Sequence, residues 1–542
     1  VFLRSLSPIW TLIALYVVTY LPMLFMRGEY WDGRVWLENF AYRDYVFSCT
    51  YYAEIYLYQS CIMMQFVGWF SDPVLISRII IFFAWLIAGV LLYPILYRHL
   101  AVPRTVAFLV VAYYLIYPVF LVRFEISSIY YSMANTFFVA GVYVALYALS
   151  SLGVRRVLHT LLALTFFVMS FFLNSFIILY FAFLGAHFWA YSLQRVDRLV
   201  PVVRSWVKQY WYFIVLPFIA ILLRQTVFAA YGAAAGYNRV LLLDPSPAIF
   251  LKTLTDCWTG LYTGILWPMM AAGRLLEFKY FVAAFILAMV VVYFALTRVR
   301  LEHESFRYPS WADWIARHPY VSAMSAALLT AVLGLLPYVL AGKPPHVWGY
   351  GFGLRNALCM GIGTAALFVA VIHFLVVEGK RRIVHITVLG LSIAFFWYNV
   401  YELDMDWYKQ QALIAALPEL LENIPAPATV VFVDEAQSFN WLDRNIGQFE
   451  YGHYIDTHIG RDRYIGTSRE DFDIVPSAEM RAFPAHEVSI VSRHPMRGPT
   501  VDDWMQLKII ELTKTEADLR VAALSRLKIE LIYTGTTTSR VR

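Results

Sequence analysis

The 542 residues are 60% hydrophobic, 18% aromatic and 15% charged, with a mean hydropathy of +0.60, which excludes both an ordinary soluble globular domain and a disordered chain. The net charge of +6 hides two unlike parts: residues 1–400 carry 28 Lys+Arg against 15 Asp+Glu, whereas residues 401–542 carry 15 against 22. The basic excess therefore flanks apolar segments, where it meets anionic headgroups, and gives no ground for nucleic-acid binding. Cys49, Cys61, Cys257 and Cys359 show no CxxC spacing, so neither a disulfide framework nor a zinc site is indicated.

Crossing a bilayer takes roughly 20 apolar residues in a helix, and eleven segments qualify, near 8–26, 75–97, 105–122, 129–150, 158–172, 175–193, 210–228, 280–298, 320–341, 356–377 and 382–400. The first is expected not to be a cleavable signal, because TLIALYVVTYLPMLFM is long and runs into RGEYWDG without a small-x-small site. Residues 158–193 exceed one span, and Asn174-Ser175 predicts a hairpin of two short or tilted helices. Arg98, Arg104, Arg155, Arg156, Arg195, Arg198, Arg204, Lys208, Arg298, Arg300, Arg307, Arg317, Lys380, Arg381 and Arg382 fall in alternate gaps, which places the N-terminus in the cytoplasm. Two semi-apolar stretches, 52–70 and 255–271, read as interfacial or re-entrant, since counting either alone would turn every later basic loop outward. Glu54, Gln59 and Gln65 suit a helix lying on the membrane surface. An odd span count then puts loops 27–74, 229–279 and 342–355, and everything after residue 400, on the extracytoplasmic side. The expectation is a multi-pass protein of a bacterial inner (plasma) membrane with a periplasmic or extracellular C-terminal domain.

The C-terminal part opens with an amphipathic connecting helix over 401–424, YKQQALIAALPELLENI, followed at Pro425 and Pro427 by a linker and the apolar run VVFVDEA. The short runs EVSIVSR, LKIIELT and KIELIYT, with helical TEADLRVAALSRL between the last two, predict a small α/β domain over 425–542. Asp434 and Glu435 end a strand where α/β sheets often place functional groups, although strand ends carry acids equally often for turn and cap reasons. His453, Asp456, His458 and Asp462 match no metal spacing and read as a solvated loop.

Chemistry is more strongly indicated outside the first span, where Glu29 and Asp32 stand in RGEYWDGRVW. A carboxylate at a membrane edge can accept a proton from a hydroxyl arriving from water while a lipid-borne leaving group waits in the bilayer. Four arginines lie toward the same side. Arg224 sits within the seventh span, where a charge calls for a partner or a cavity; Arg78 and Arg123 sit at span ends, where snorkelling to headgroups accounts for them; and Arg355 ends HVWGYGFGLRN beside His346. Set against Asp32, Glu29 and Glu125, they suit a lipid phosphate or pyrophosphate facing a general base.

This arrangement resembles the GT-C superfamily of polyprenyl-phosphate-sugar-dependent membrane glycosyltransferases, through Asp32 with Glu29 in GEYWDG, the surface stretch 51–70 and the part after residue 401. The resemblance implies residues 1–400 as the transmembrane transferase domain. It also implies Asp32, with Glu29, as the catalytic acids of an inverting transfer from a polyprenyl-phosphate-linked sugar to a glycan or protein acceptor. Arg224, Arg355 and Arg123 would bind the lipid phosphate, and Tyr237, Asp244, Trp258 and His346 would shape the acceptor groove. Family loop acids are often adjacent or DxD, whereas here they are Glu-x-x-Asp, a departure that leaves metal use and the choice of catalytic acid open; no metal ligand is assigned, and a divalent cation is the one cofactor still open. A competing expectation is a non-catalytic subunit that scaffolds neighbouring membrane subunits.

Overall fold

The computed structural model describes residues 7–30, 33, 58–100, 102–173, 175–193, 199–226, 247–263, 278–298, 319–341, 343, 345, 352–441, 444–459, 463–474, 483–493 and 501–537. The membrane part is α1 (Pro8–Tyr20), α2 (Tyr58–Val67), α3 (Pro73–Pro94), α4 (Arg104–Ile116), α5 (Ile129–Ser150), α6 (Gly153–Phe171), α7 (Ser175–Leu193), α8 (Leu199–Thr226), α9 (Pro247–Leu261), α10 (Phe278–Arg298), α11 (Pro319–Leu340), α12 (Gly361–Leu375) and the 44-residue α13 (Glu378–Leu421). Among the described residues nine helical segments are long and apolar enough to cross a membrane, and two shorter apolar helices, Arg104–Ile116 and Ser175–Phe188, occupy the other expected positions. The protein is thus a polytopic helical membrane protein. Of the two semi-apolar stretches, the described residues form α2, 10 residues, and the end of α9, a helix of 15 residues; positions 52–57 and 264–271 lie outside the described residues.

Local chemistry sets the breaks between helices. Asp72 accepts from Leu75 N–H at 2.9 Å ahead of Pro73, a side-chain cap followed by proline at the first helical position. Gly153 adopts φ 58°, a left-handed conformation open to a residue without Cβ, and so reverses the chain between α5 and α6. The helices associate through small residues and buried polar bonds, as expected where hydrophobicity drives insertion rather than helix pairing. Tyr16 donates to Phe82 O at 2.9 Å, Trp85 Nε1 to Ser132 Oγ at 3.0 Å and Asn135 Nδ2 to Tyr114 OH at 2.6 Å. At the α11–α12 crossing, a Cβ on Gly363 would come within 2.7 Å of Ala331 Cα.

Helix α13 carries the final span straight into the C-terminal part. At about 1.5 Å per residue it is roughly 66 Å long, about twice a bilayer core. After its last turn come β1 (Ala428–Asp434), α14 (Gln448–His458), β2 (Tyr464–Ser468), α15 (Arg469–Ile474), β3 (Ala485–Ser492), α16 (Val501–Thr513), α17 (Glu516–Leu527) and β4 (Ile529–Thr537). The sheet order is β2-β1-β3-β4, with β1 parallel to both neighbours and β3 antiparallel to β4. The sheet is flanked by helices: Tyr451 of α14 stacks on Phe432 at 4.5 Å, and α13 packs against β4 and α17. Tyr464 of β2 donates to Leu421 O and Ile424 O, tying the end of α13 to the sheet.

Three sequence expectations change. LKIIELT is helical, as the end of α16, because it buries Leu507 and Glu511 four residues apart, a helical spacing, and leaves Ile509 and Leu512 exposed. The stretch around His453 is helix α14 rather than a solvated loop, with His453 buried. The 401–424 stretch does not present one apolar face: residues 403–414 are buried on all sides of α13. Gly363→Val should force the α11 and α12 backbones apart and cost about 1–3 kcal/mol, the range for overpacking, read as a lower unfolding midpoint in detergent.

Candidate functional site

Residues 26–30 follow α1 and are held by groups from three other elements. Arg78, in the first turns of α3, is fully buried. It pairs with Glu29 at 2.7 Å and also donates to the carbonyls of Met26 and Gly28. The loop N–H of Tyr30 donates to Glu125 Oε2 at 3.2 Å, and the Tyr30 hydroxyl donates to Leu403 O on α13 at 2.6 Å. Burial pushes that phenol well above its ordinary pKa, with Asp406 and Asp404 adding to the shift, so it stays a neutral donor. Gly33 N–H returns to Tyr30 O at 2.9 Å. Gly33 lies where the two glutamates converge: a Cβ there would sit 2.8 Å from Glu29 Oε2 and 2.9 Å from the Glu125 carboxyl carbon. A glycine admits both carboxylates, and any larger residue would displace one of them.

Snorkelling accounts for neither Arg78 nor Arg123. Arg123, in the tight turn Leu121–Phe124, is 2% exposed. Its guanidinium lies 4.3 Å from the Trp85 ring centroid and 4.7 Å from that of Tyr20. It donates to Phe120 O and to Leu115 O, near the C-terminal end of α4 where helix carbonyls lack partners. Arg355 is half-buried in the turn Phe352–Met360, which packs against Leu121–Phe124. The structure therefore gathers the segments of Glu29, Glu125, Arg123 and Arg355 at one end of the bundle. Trp258 lies on α9, which packs against α11, and is 70% exposed. Arg224 is in the last turn of α8, with its side chain outside the described residues; Asp32, Tyr237, Asp244 and His346 also lie outside them.

The same end of the bundle meets the C-terminal part through a charge network that sequence reading missed. Asp406 of α13 accepts Arg444 Nε at 2.7 Å and Nη2 at 3.1 Å, Trp441 N–H at 3.0 Å and Gln410 Nε2 at 2.7 Å. Arg444 also grips Glu450 of α14 at 2.6 and 2.8 Å, and its guanidinium carbon lies 5.6 Å from the Tyr30 ring centroid. Two carboxylates and an aromatic face hold the arginine cationic: burial opposes the charge, but Asp406 and Glu450 raise its pKa well above the ordinary value. Lys409 donates to both Asp434 oxygens at 2.6 Å, to Asn440 Oδ1 at 2.8 Å and to Ala436 O at 2.9 Å. In doubly wound sheets, ligands bind where the strand order reverses, at the carboxyl ends of the strands. Here that position, the end of β1, is filled by the Lys409 ammonium. On the other flank Lys508 of α16 reaches Asp404 at 3.2 Å, Glu511 at 2.8 Å and Phe25 O at 3.0 Å. A signal was available in DMDWYKQQ: Asp404, Asp406, Lys409 and Gln411 do not share one helical face, which is inconsistent with a helix polar on one side only.

No metal cluster of three or more His, Cys, Asp or Glu side chains occurs among the described residues. Comparison with protein-family models, with curated proteins and with solved structures finds no match to this chain. Chemically, the assembled end brings the carboxylates Glu29 and Glu125 together with the guanidinium groups of Arg78 and Arg123, each arginine held by groups of the protein.

Two outcomes follow. Asp406→Ala leaves Arg444 buried with one of its two carboxylates and should cost about 3–5 kcal/mol, with faster proteolysis between α13 and β1. Burial, opposed by Lys508 and reinforced by Glu511, pushes Asp404 up to about 6. The folded state then holds a proton that the unfolded chain, near the ordinary value of about 4, has released. Its contribution to stability falls as pH rises from about 4 to about 6. Asp404→Asn should remove that slope, so the midpoint of the variant gains on wild type across this window by the equivalent of about 2 kcal/mol.

Proposed function

We propose that the chain is a membrane glycosyltransferase that moves a sugar from a polyprenyl-phosphate donor to an extracytoplasmic acceptor with inversion. The observation that carries this reading is the convergence of the first loop, the 121–125 turn and the 352–360 turn at the end of the bundle that bears the α/β domain. Donor phosphate would arrive from the bilayer and acceptor from water, and only such a junction is open to both.

Within this reading Asp32 is the general base. The acceptor hydroxyl attacks the anomeric carbon as its proton passes to Asp32, the bond to the phosphate oxygen breaks, and polyprenyl phosphate leaves as an anion. Arg355 and Arg224 offset the charge that develops on that phosphate. Glu29 is ion-paired with Arg78 and, with Glu125, braces the loop on both sides of Gly33, so its part is positioning. Arg123, clasped by Tyr20 and Trp85, holds the 121–125 turn in place. Tyr237, Asp244, Trp258 and His346 are assigned to the acceptor groove, and the domain is assigned to the outer face of a bacterial inner membrane.

A scaffold that binds neighbouring subunits is the second reading. It is favoured by the filled strand end at Asp434 and by the Glu29–Arg78 pair, both of which occupy groups a ligand could otherwise use.

Full-length protein in proteoliposomes, supplied with a panel of polyprenyl-phosphate sugars, tests the choice. Asp32→Asn should lower transfer about 10²–10⁴-fold with unchanged folding. Full retention of transfer by that variant would remove Asp32 as base; absence of transfer with every donor, alongside stable copurification of other membrane subunits, would establish the scaffold.

A further inference from the structure

Helix α16 presents three kinds of surface. Trp504, Leu507, Lys508 and Glu511 face α13: Trp504 Nε1 donates to Asp404 Oδ2 at 3.1 Å, Lys508 bonds to Asp404, and Tyr408 of α13 donates to Glu511 Oε2 at 2.9 Å. Asp502, Gln506 and Thr513 are exposed and polar. Between these faces runs an exposed apolar stripe, Met505, Ile509 and Leu512, at 42%, 55% and 57% exposure. Their spacing of four and three residues places them on one line of the helix.

We infer that this stripe seats α16 in the outer interfacial layer of the bilayer, so that the C-terminal domain rests on the lipid surface. The argument is positional. Lys508, three residues from Met505 and four from Leu512, is flanked by them on the helix surface. Its ammonium reaches the carbonyl of Phe25, the last residue of the first apolar segment. Phe25 and Leu21 at that span end are 56% and 42% exposed, as lipid-facing residues are. The stripe thus continues the apolar surface of the span at the depth where the span leaves the hydrocarbon. A helix with one apolar stripe beside a lysine and a polar flank is the kind that lies in an interface plane.

The test uses the full-length protein in lipid nanodiscs at one copy per disc. A photoreactive benzoylphenylalanine is placed at Ile509 or, as the polar-face control, at Gln506, and nitroxide labels are placed on Ile509→Cys, Leu512→Cys and Gln506→Cys in a background with the four native cysteines changed to alanine. Position 509 should crosslink to lipid and 506 should not; labels at 509 and 512 should collide more with oxygen and less with an aqueous nickel chelate than the label at 506. Equal aqueous access at 509 and 506 overturns the inference. So does crosslinking of 509 to a polypeptide in place of lipid, which would make the stripe a protein interface. The crosslinking arm keeps the native cysteines and stands if the cysteine-free background does not fold.

Discussion

The arrangement of Arg444 between Asp406 and Glu450 is the interaction on which the rest of the structure depends. Moving such charges out of water costs several kcal/mol each, and twelve consecutive residues of α13, from 403 to 414, are buried with Asp404, Asp406, Lys409, Gln410 and Gln411 among them. Such a helix is tolerable only if each charge meets its partner. Asp406 finds Arg444, Lys409 finds Asp434 and Asp404 finds Lys508. The partners come from three separate places in the α/β domain, so the domain fits α13 in one orientation and loses several bonds together if it shifts.

Because α13 is continuous with the final span, that fit also fixes the domain to the membrane bundle. The first loop lies in the joint: Tyr30 bonds to the α13 backbone and faces Arg444, while Arg78 of α3 and Glu125 hold the loop from the bundle side. Any ligand that moves the loop must therefore strain either the bundle or the domain contact.

Spans and strands were legible because their signals are local. Apolar length marks a helix that crosses, and VVFVDEA, EVSIVSR and KIELIYT became strands as their β-branched runs imply. The chain breaks between α6, which ends at Phe171, and α7, which begins at Ser175, so residues 158–193 form two helices as expected. LKIIELT was misread because a short apolar run fits a buried strand and a helix with two apolar faces equally well. The ion network was not legible, since Asp406 and Arg444 are 38 residues apart and Lys409 and Asp434 are 25 apart; only folding tells which charges are paired. Arg78 and Arg123 were placed correctly at span ends but assigned to headgroups, because sequence shows depth and not direction, and both point into the bundle.

The filled strand end decides where chemistry can be sought. In an open α/β sheet the carboxyl end of β1 is the natural crevice, yet Lys409 enters it from the membrane helix and makes four bonds there. A small molecule could bind at that position only by expelling a buried ammonium and leaving Asp434 and Asn440 to find new donors, a penalty of the size that makes broken buried pairs costly. The domain accordingly uses its switch point as a socket for α13. The first loop is held in the same way, with Glu29 paired to Arg78 and Tyr30 bonded to Glu125 and to the α13 backbone, so the joint between domain and bundle is built from satisfied polar groups on both sides.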